Sequence, residues 1–156
     1  MAIPKIHKTL AWLLGIAVLF FVLSLAGAWY FSSLVMHPPD RPCNPDHFIY
    51  CNSPAEQNLS YEKVNFYSRD GVELKGWFLP APERDKNRRR AVITVHGHSA
   101  DRRAGARWFA PLHQAGFAVL TFDLRNYGKS AGNFTSMGIY EKLDVQAAVD
   151  FLQQKK

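Results

Sequence analysis

The chain has 156 residues, of which 47% are hydrophobic and 21% charged, and it carries two cysteines. This composition excludes a disordered protein and a disulfide-rich scaffold, and the length excludes a large multidomain enzyme. The net charge of +6 is concentrated in short basic segments. The densest of them, 84–90, lacks the interleaved aromatic residues of a nucleic-acid-binding surface, so the sequence predicts a solvated loop there and no nucleic-acid partner.

A long uncharged segment follows the first nine residues. Positions 10–36 are 27 consecutive residues without a charged side chain. A helix of that length rises about 40 Å, which is enough to cross a hydrocarbon core about 30 Å thick. Lys5 and Lys8 precede the segment, whereas Asp40 and Arg41 follow it and cancel. The excess of positive charge before the helix predicts a cytoplasmic N-terminus and an extracytoplasmic remainder.

The alternative to a retained transmembrane helix is a cleaved signal peptide, because Ala26-Gly27-Ala28 fits the small-residue pattern of a cleavage site. Apolar residues continue past it to Phe31, which favours the retained anchor. The lipid bilayer is therefore an expected partner of a single-pass membrane protein. The expected division is a cytoplasmic head at 1–9, a transmembrane helix at 10–36, a proline-rich linker at 37–60 and a folded region at 61–156.

The linker contains both cysteines, Cys43 and Cys51. In an oxidising compartment they would close a small disulfide loop worth about 2.5 kcal/mol. Two alternatives stay open: free thiols, or a metal site formed by His37, Cys43, His47 and Cys51. The metal site needs a helix through Cys43, which the prolines of the segment disfavour. The disulfide is the prediction, and no metal is expected.

The folded region begins with a predicted β-hairpin. Residues 63–68 alternate, with Val64 and Phe66 on one face, and Asp70-Gly71 is typical of a two-residue hairpin turn. Residues 72–78 alternate again and form the second strand. The polar run 82–90 is a loop.

Two strands and two helices are predicted after the hairpin. Residues 91–95 form a short apolar strand expected to be buried on both faces, and 117–122 form a second one. Helical periodicity runs over 101–115, with its apolar face at Ala104, Trp108, Leu112 and Ala115. It resumes at Gly138, with its apolar face at Tyr140, Leu143, Ala147 and Phe151. The order strand, helix, strand, helix predicts an α/β fold with parallel strands.

Polar motifs follow each of the two apolar strands, where open α/β sheets bind ligands. The first strand ends in His96-Gly97, and the second is followed by a D-x-R-x-x-G-x-S motif formed by Asp123, Arg125, Gly128 and Ser130. This arrangement resembles the α/β-hydrolase superfamily over about 61–154. The branch it looks most like is the membrane-anchored or secreted serine hydrolases related to serine aminopeptidases and monoacylglycerol lipases. The chain is thus expected to be the N-terminal part of such a fold, incomplete by itself.

The resemblance implies roles for these residues. The loop of His96, Gly97 and His98 would supply one oxyanion-hole donor, the backbone N–H of His98, to stabilise the charge of a tetrahedral intermediate. Asp123, Arg125, Gly128 and Ser130 would support the neighbouring loop without reacting. The resemblance implies a small-molecule or peptide substrate and no cofactor.

Two serines lie in segments that resemble the motif around a catalytic nucleophile. Ser130 lies in Gly128-Lys129-Ser130-Ala131-Gly132, which fits G-x-S-x-G, but it does not join a strand directly to a helix. Ser99 follows a strand, but its segment lacks the final glycine. The triad of this fold runs serine, acid, histidine, and the last histidine is His113, so Ser130 has no base after it. The only histidine after Ser99 is His113, on the predicted helix that directly follows that serine. Neither serine is therefore a predicted nucleophile, and no catalytic residue is expected in this chain.

The predicted function is the N-terminal portion of a membrane-anchored serine hydrolase that acts on ester, thioester or peptide bonds outside the cytoplasm. The alternative is a non-catalytic, membrane-anchored interaction or scaffold protein built on the same fold. A continuing reading frame with G-x-S-x-G would favour the first.

Overall fold

The computed structural model describes residues 5–39, 51, 53–84 and 90–155. The chain divides into two units, one ending at Met36 and the other beginning at His37. The second unit contains, in chain order, a 3-10 helix at Pro54–Gln57, strands β1 (Glu62–Tyr67), β2 (Glu73–Leu79) and β3 (Ala91–Thr94), a 3-10 helix at Arg102–Gly105, helix α2 (Ala106–Gln114), strand β4 (Ala118–Phe122) and helix α3 (Glu141–Gln154).

The first unit contains one helix, α1 (Lys5–Met36). It begins five residues before the predicted transmembrane segment, because lysine continues a helix about as readily as leucine. Lys8–Met36 has a mean hydropathy of 2.5 and is long and apolar enough to cross a membrane, a property that signal sequences share. Large apolar side chains such as Trp12, Phe20 and Trp29 are exposed along it.

The predicted hairpin is confirmed. β1 and β2 pair antiparallel in a register that places Tyr67 opposite Glu73 and Lys63 opposite Trp77. Val64 and Phe66 are buried as expected. The turn is longer than the two residues predicted, because the N–H of Ser68 bonds to the carbonyl of Val72 and closes a loop around Gly71, whose φ is +86°.

The four strands form one mixed sheet in the order β1-β2-β4-β3. β2 pairs antiparallel with β4, and β3 pairs parallel with β4, so the predicted parallel pair is present. β4 is buried along its whole length. β3 was expected to be buried on both faces and is not: Ala91 is exposed and the other three residues are half-buried, because β3 is an edge strand.

Helices cover both faces of the sheet. On one face, Phe66, Leu120 and Phe122 pack against α3 through Ala147 and Ala148. On the other face, aromatic and aliphatic side chains of β2 and β4 pack against α2: Trp77, Leu79 and Val119 contact the cluster that holds Ala106 and Phe109. β4 contributes alternate residues to both clusters, which explains why its sequence is apolar throughout.

The predicted apolar faces of both helices are partly wrong. The first helical segment starts as a 3-10 turn, and its buried residues are Ala106 and Phe109, whereas Trp108 is 56% exposed. In α3 the first helical residue is Glu141, and Tyr140 is exposed. The buried face of α3 includes the carboxylates of Glu141 and Asp144, which an apolar periodicity does not count.

Candidate functional site: the loops after strands β3 and β4

The two polar loops predicted to carry the chemistry meet at one edge of the sheet, because β3 and β4 are parallel neighbours. The imidazole of His96 joins them. Its Nε2 accepts the N–H of Leu124 at 3.0 Å, and its Nδ1 lies 2.8 Å from the carbonyl oxygen of Gly97. A carbonyl oxygen only accepts, so the proton of this histidine is on Nδ1. Burial lowers the pKa of His96 below its ordinary value, which keeps the ring neutral.

The next residue pair on this loop is open to solvent. Gly97 and His98 are exposed, and Nδ1 of His98 is hydrogen-bonded to the hydroxyl of Tyr127 at 2.8 Å. In the part of the chain that the structure describes, no acceptor bonds the backbone N–H of His98. Ser99 follows with a φ of +57°, so the loop turns sharply directly after His98. This N–H is therefore available to an anionic oxygen.

Asp123 is completely buried at the end of β4. Its two carboxylate oxygens accept backbone N–H groups from both sides of the site, that of Arg102 at 2.8 Å and that of Lys129 at 2.9 Å. Burial raises the pKa of Asp123, against the charge of Arg102 and the two N–H donors. A side chain at Gly128 would collide with this carboxylate, and Gly128 has a φ of +53°. Asp123 thus fixes the loop, and glycine at 128 is a steric requirement.

Arg125 ties three parts of the unit together. Its guanidinium bonds Asp144 of α3, with Nη2 2.7 Å from Oδ1, and Asp70 of the hairpin loop, with Nη1 2.7 Å from Oδ2. Its own N–H bonds Asp144 Oδ2 at 2.9 Å. Hydrogen bonding to Arg125 lowers the pKa of Asp70 to about 2. Arg125 is therefore a structural cross-link between the hairpin, the loop and α3.

Ser130 occupies a joint between the loop and β2. Its hydroxyl donates to the carbonyl of Asp123 at 2.6 Å and accepts the N–H of Lys75 at 2.9 Å. Both the proton and a lone pair of the hydroxyl are engaged, so Ser130 is placed as a support.

The loop leading into α3 is held by Glu141. Its Oε1 accepts the N–H of Ser136 at 2.7 Å, and its Oε2 accepts the Ser136 hydroxyl and the N–H of Gly138, each at 2.6 Å. Burial opposes the charge of Glu141, but these hydrogen bonds outweigh it and lower the pKa.

Sequence reasoning missed Tyr127 and Arg102. Tyr127 is 6% exposed and contacts both His96 and His98. Arg102 is 9% exposed. Tyr127 lies inside the D-x-R-x-x-G-x-S motif, which was the available signal. Arg102 belongs to a basic run, which gave no indication of burial.

Only one cysteine of the predicted disulfide lies among the described residues. Cys51 is disulfide-bonded, but Cys43 lies outside the described residues, as does His47, so the pairing stays a prediction. Among the residues that the structure describes, no three His, Cys, Asp or Glu side chains are grouped to hold a metal ion.

Known proteins are similar to this chain in sequence and in fold. No family model matches. The uncharacterised protein YfhR of Salmonella typhimurium is 31% identical over 112 residues, which cover 71% of this chain and 36% of YfhR. The thiohydrolase aneE of Aspergillus aculeatus is 32% identical over 102 residues, which cover 64% of this chain and 31% of aneE.

Among solved structures, the Pyrococcus furiosus esterase PF2001 superimposes with a TM-score of 0.63 at 30% identity, over 77% of this chain and 42% of the esterase. The chain spans about a third of the length of the curated relatives it matches. Strand order, the two polar loops at the ends of the parallel strands and these similarities agree with each other. The chain belongs to the α/β-hydrolase superfamily.

Proposed function

We propose that this chain is the N-terminal part of a membrane-anchored serine hydrolase that cleaves ester, thioester or peptide bonds outside the cytoplasm. The observation that carries the proposal is the backbone N–H of His98, which has no acceptor among the described residues and lies in an exposed loop at the end of β3. A backbone donor held in this way stabilises the oxygen of a tetrahedral intermediate without reorganising during the reaction.

The rest of the loop preorganises this donor. His96 links the β3 loop to Leu124, and Tyr127 holds the His98 ring. Asp123 then bonds backbone N–H groups of both loops. A donor on a fixed loop costs no ordering entropy when the substrate binds, which is the condition for a large catalytic effect.

The nucleophile is proposed to come from outside these 156 residues. The Ser130 hydroxyl is bonded on both sides, and no histidine follows it in the sequence. The only histidine after Ser99 is His113, in α2, and no hydrogen bond joins these two side chains in the described part of the chain, whereas a nucleophile and its base must lie within hydrogen-bond reach.

The substrate class is proposed from the chemistry that the named relatives share. The similar proteins include an esterase and a thiohydrolase, and the hydrolysis of an ester or a thioester passes through a tetrahedral oxyanion. We therefore propose an ester or a thioester as the first substrate class to test. The resemblance to serine aminopeptidases and monoacylglycerol lipases adds peptide bonds and glycerol esters to the candidate substrates.

The anchor and its orientation are proposed from the sequence of α1. Lys8–Met36 is apolar enough to cross the bilayer, and the basic residues Lys5 and Lys8 lie before the uncharged positions 10–36. We expect a reporter that is active only outside the cytoplasm to be active when fused after Lys156, and a reporter active only inside to be silent there. The reverse pattern would contradict the proposed orientation.

The oxyanion role is tested by two variants at one position. His98→Pro removes the backbone N–H, whereas His98→Ala keeps it and removes only the imidazole. In the full reading frame that carries this chain, we expect His98→Pro to lower kcat for a generic thioester about 100- to 1,000-fold. His98→Ala should stay within about tenfold of the original protein. Equal losses in both variants would assign the effect to the ring and overturn the donor role.

A fluorophosphonate, which labels active serines, separates catalysis from a scaffold function. Peptide mapping of the labelled full reading frame should find the adduct outside residues 1–156. An adduct on Ser99 or Ser130 would refute the placement of the nucleophile. Absence of any adduct and of any turnover would favour a non-catalytic scaffold on the same fold.

A further inference from the structure

A second feature of the folded unit is a cavity of about 270 Å³ on the face of the hairpin that carries Trp77. The described residues that line it include four cationic side chains and no carboxylate; the cations are Lys63, Lys75, Arg102 and Lys129. A cavity with this lining has a strongly positive potential, which favours an anionic occupant.

Of these four side chains, Arg102 gives the strongest indication that the cavity binds an anion. It is only 9% exposed, and its guanidinium lies 4.8 Å above the ring of Trp77. Its Nε is 3.5 Å from Asp123 Oδ2, but no side-chain hydrogen bond of Arg102 is formed within the described part of the chain. None of its nitrogens is among the fully buried side-chain atoms of the described residues that lack a partner, so they remain accessible to a ligand. This guanidinium therefore has donors left for a ligand in the cavity.

Asp123 does not satisfy those donors. Its oxygens already accept the backbone N–H groups of Arg102 and Lys129, and its closest approach to the guanidinium is the 3.5 Å between Oδ2 and Nε. The stacking on Trp77 holds the guanidinium plane in place, since arginine interacts favourably with an aromatic face. Arg102 is thus positioned for an anion before the anion arrives.

The lysines are brought together by strand register. Lys63 pairs with Trp77 across the hairpin and Lys75 pairs with Asn65, so the two lysines share one face of adjacent strands. Lys129 comes close because Ser130 bonds the N–H of Lys75. Glu73 is 3.6 Å from Lys75, but no ion pair of Lys63 or Lys129 is formed among the described residues. Neighbouring like charges destabilise a sheet unless an anion neutralises them.

We infer that this cavity binds a phosphate group, either as a free phosphate or as the headgroup of a phospholipid. The two negative charges of a phosphate monoester match the two lysines without an ion pair, and the planar fork of Arg102 suits two phosphate oxygens. Ser53 and Asn65 also line the cavity and add neutral donors. This site is separate from the His98 donor and does not depend on the proposed hydrolase activity.

The test compares two double variants with the same loss of charge. Lys63→Gln with Lys129→Gln removes the two exposed lysines of the cavity. Lys142→Gln with Arg107→Gln, also exposed but outside the cavity, is the matched control. The full chain is held in neutral detergent micelles, and the NMR signal of the Trp77 indole is followed during titration.

The ligands are inorganic phosphate and dihexanoyl phosphatidic acid, with dihexanoyl phosphatidylcholine as the neutral comparison. We expect saturable binding to the original protein and to the control, and binding at least about tenfold weaker in the Lys63 and Lys129 variant, equivalent to about 1.4 kcal/mol. Equal affinity for phosphate and phosphatidic acid identifies the phosphate group itself as the ligand, and tighter phosphatidic acid binding identifies a lipid headgroup.

Three results would overturn the inference: no saturable shift with either ligand, equal weakening in both double variants, or undiminished affinity in Arg102→Lys, which keeps the charge but loses the fork. An acidic peptide that binds while both phosphate ligands fail would show that the positive surface contacts a protein segment instead.

Discussion

Replacing Asp144 by asparagine tests the cross-link through Arg125. Asp144 is completely buried and accepts the Arg125 N–H at 2.9 Å, its Nε at 3.1 Å and its Nη2 at 2.7 Å. Asparagine keeps the shape but removes the charge and points an amide group at these donors. Breaking a buried ion pair from one side costs about 3–5 kcal/mol. Asp70 stays bonded to the same guanidinium, so we expect the lower end, about 3 kcal/mol.

The matched control is Asp150→Asn in the same helix. Asp150 pairs with Arg69 at 3.1 Å, with side chains 41% and 60% exposed, so its loss should cost no more than about 1 kcal/mol. For a unit of this size about 3 kcal/mol lowers Tm by about 12 °C. Thermal unfolding in neutral detergent, followed by near-ultraviolet circular dichroism, measures both. Equal shifts in the two variants would refute the structural role assigned to Arg125.

Three further results are expected. Asp70 has a pKa of about 2 in the folded chain and an ordinary value when unfolded, so the unfolded chain binds more protons between these values. The free energy of unfolding should therefore fall by about 1 kcal/mol as pH drops from about 4 to about 2. The same dependence of the free energy of unfolding on pH in Asp70→Asn would contradict this. Ser130→Ala leaves the N–H of Lys75 and the carbonyl of Asp123 without their partner and should cost about 1–3 kcal/mol in urea unfolding, whereas a neutral effect would show that water replaces the hydroxyl. Among the described strands β3 has a neighbour on one side only, and Val95→Lys places a charge beside that edge. Light scattering should then show less self-association of the 156-residue chain than before; unchanged association would place the contact elsewhere.

Local patterns were sufficient for the parts of this protein whose neighbours are close in sequence. Alternation around Val64 and Phe66 predicted the hairpin, since its partner strand follows after a short loop. The uniformly apolar run of β4 predicted burial on both faces, and that is what α2 and α3 produce. The order of motifs also gave the resemblance to the superfamily. It predicted that the two polar loops meet, because the carboxyl ends of parallel strands lie at the same edge of a sheet.

Only the tertiary structure decided where the polar residues of the core lie. Arg125 reaches Asp144 across 19 positions and Asp70 across 55, and Arg102 is buried against Trp77 from within a basic run. Apolar periodicity assigns Trp108 and Tyr140 to the core and Asp144 to the surface. In the structure the two aromatic residues are exposed and Asp144 is buried, because contacts with the rest of the unit determine which face of each helix is buried. The burial of a charged side chain depends on a partner distant in sequence, so no local pattern in the sequence contains it.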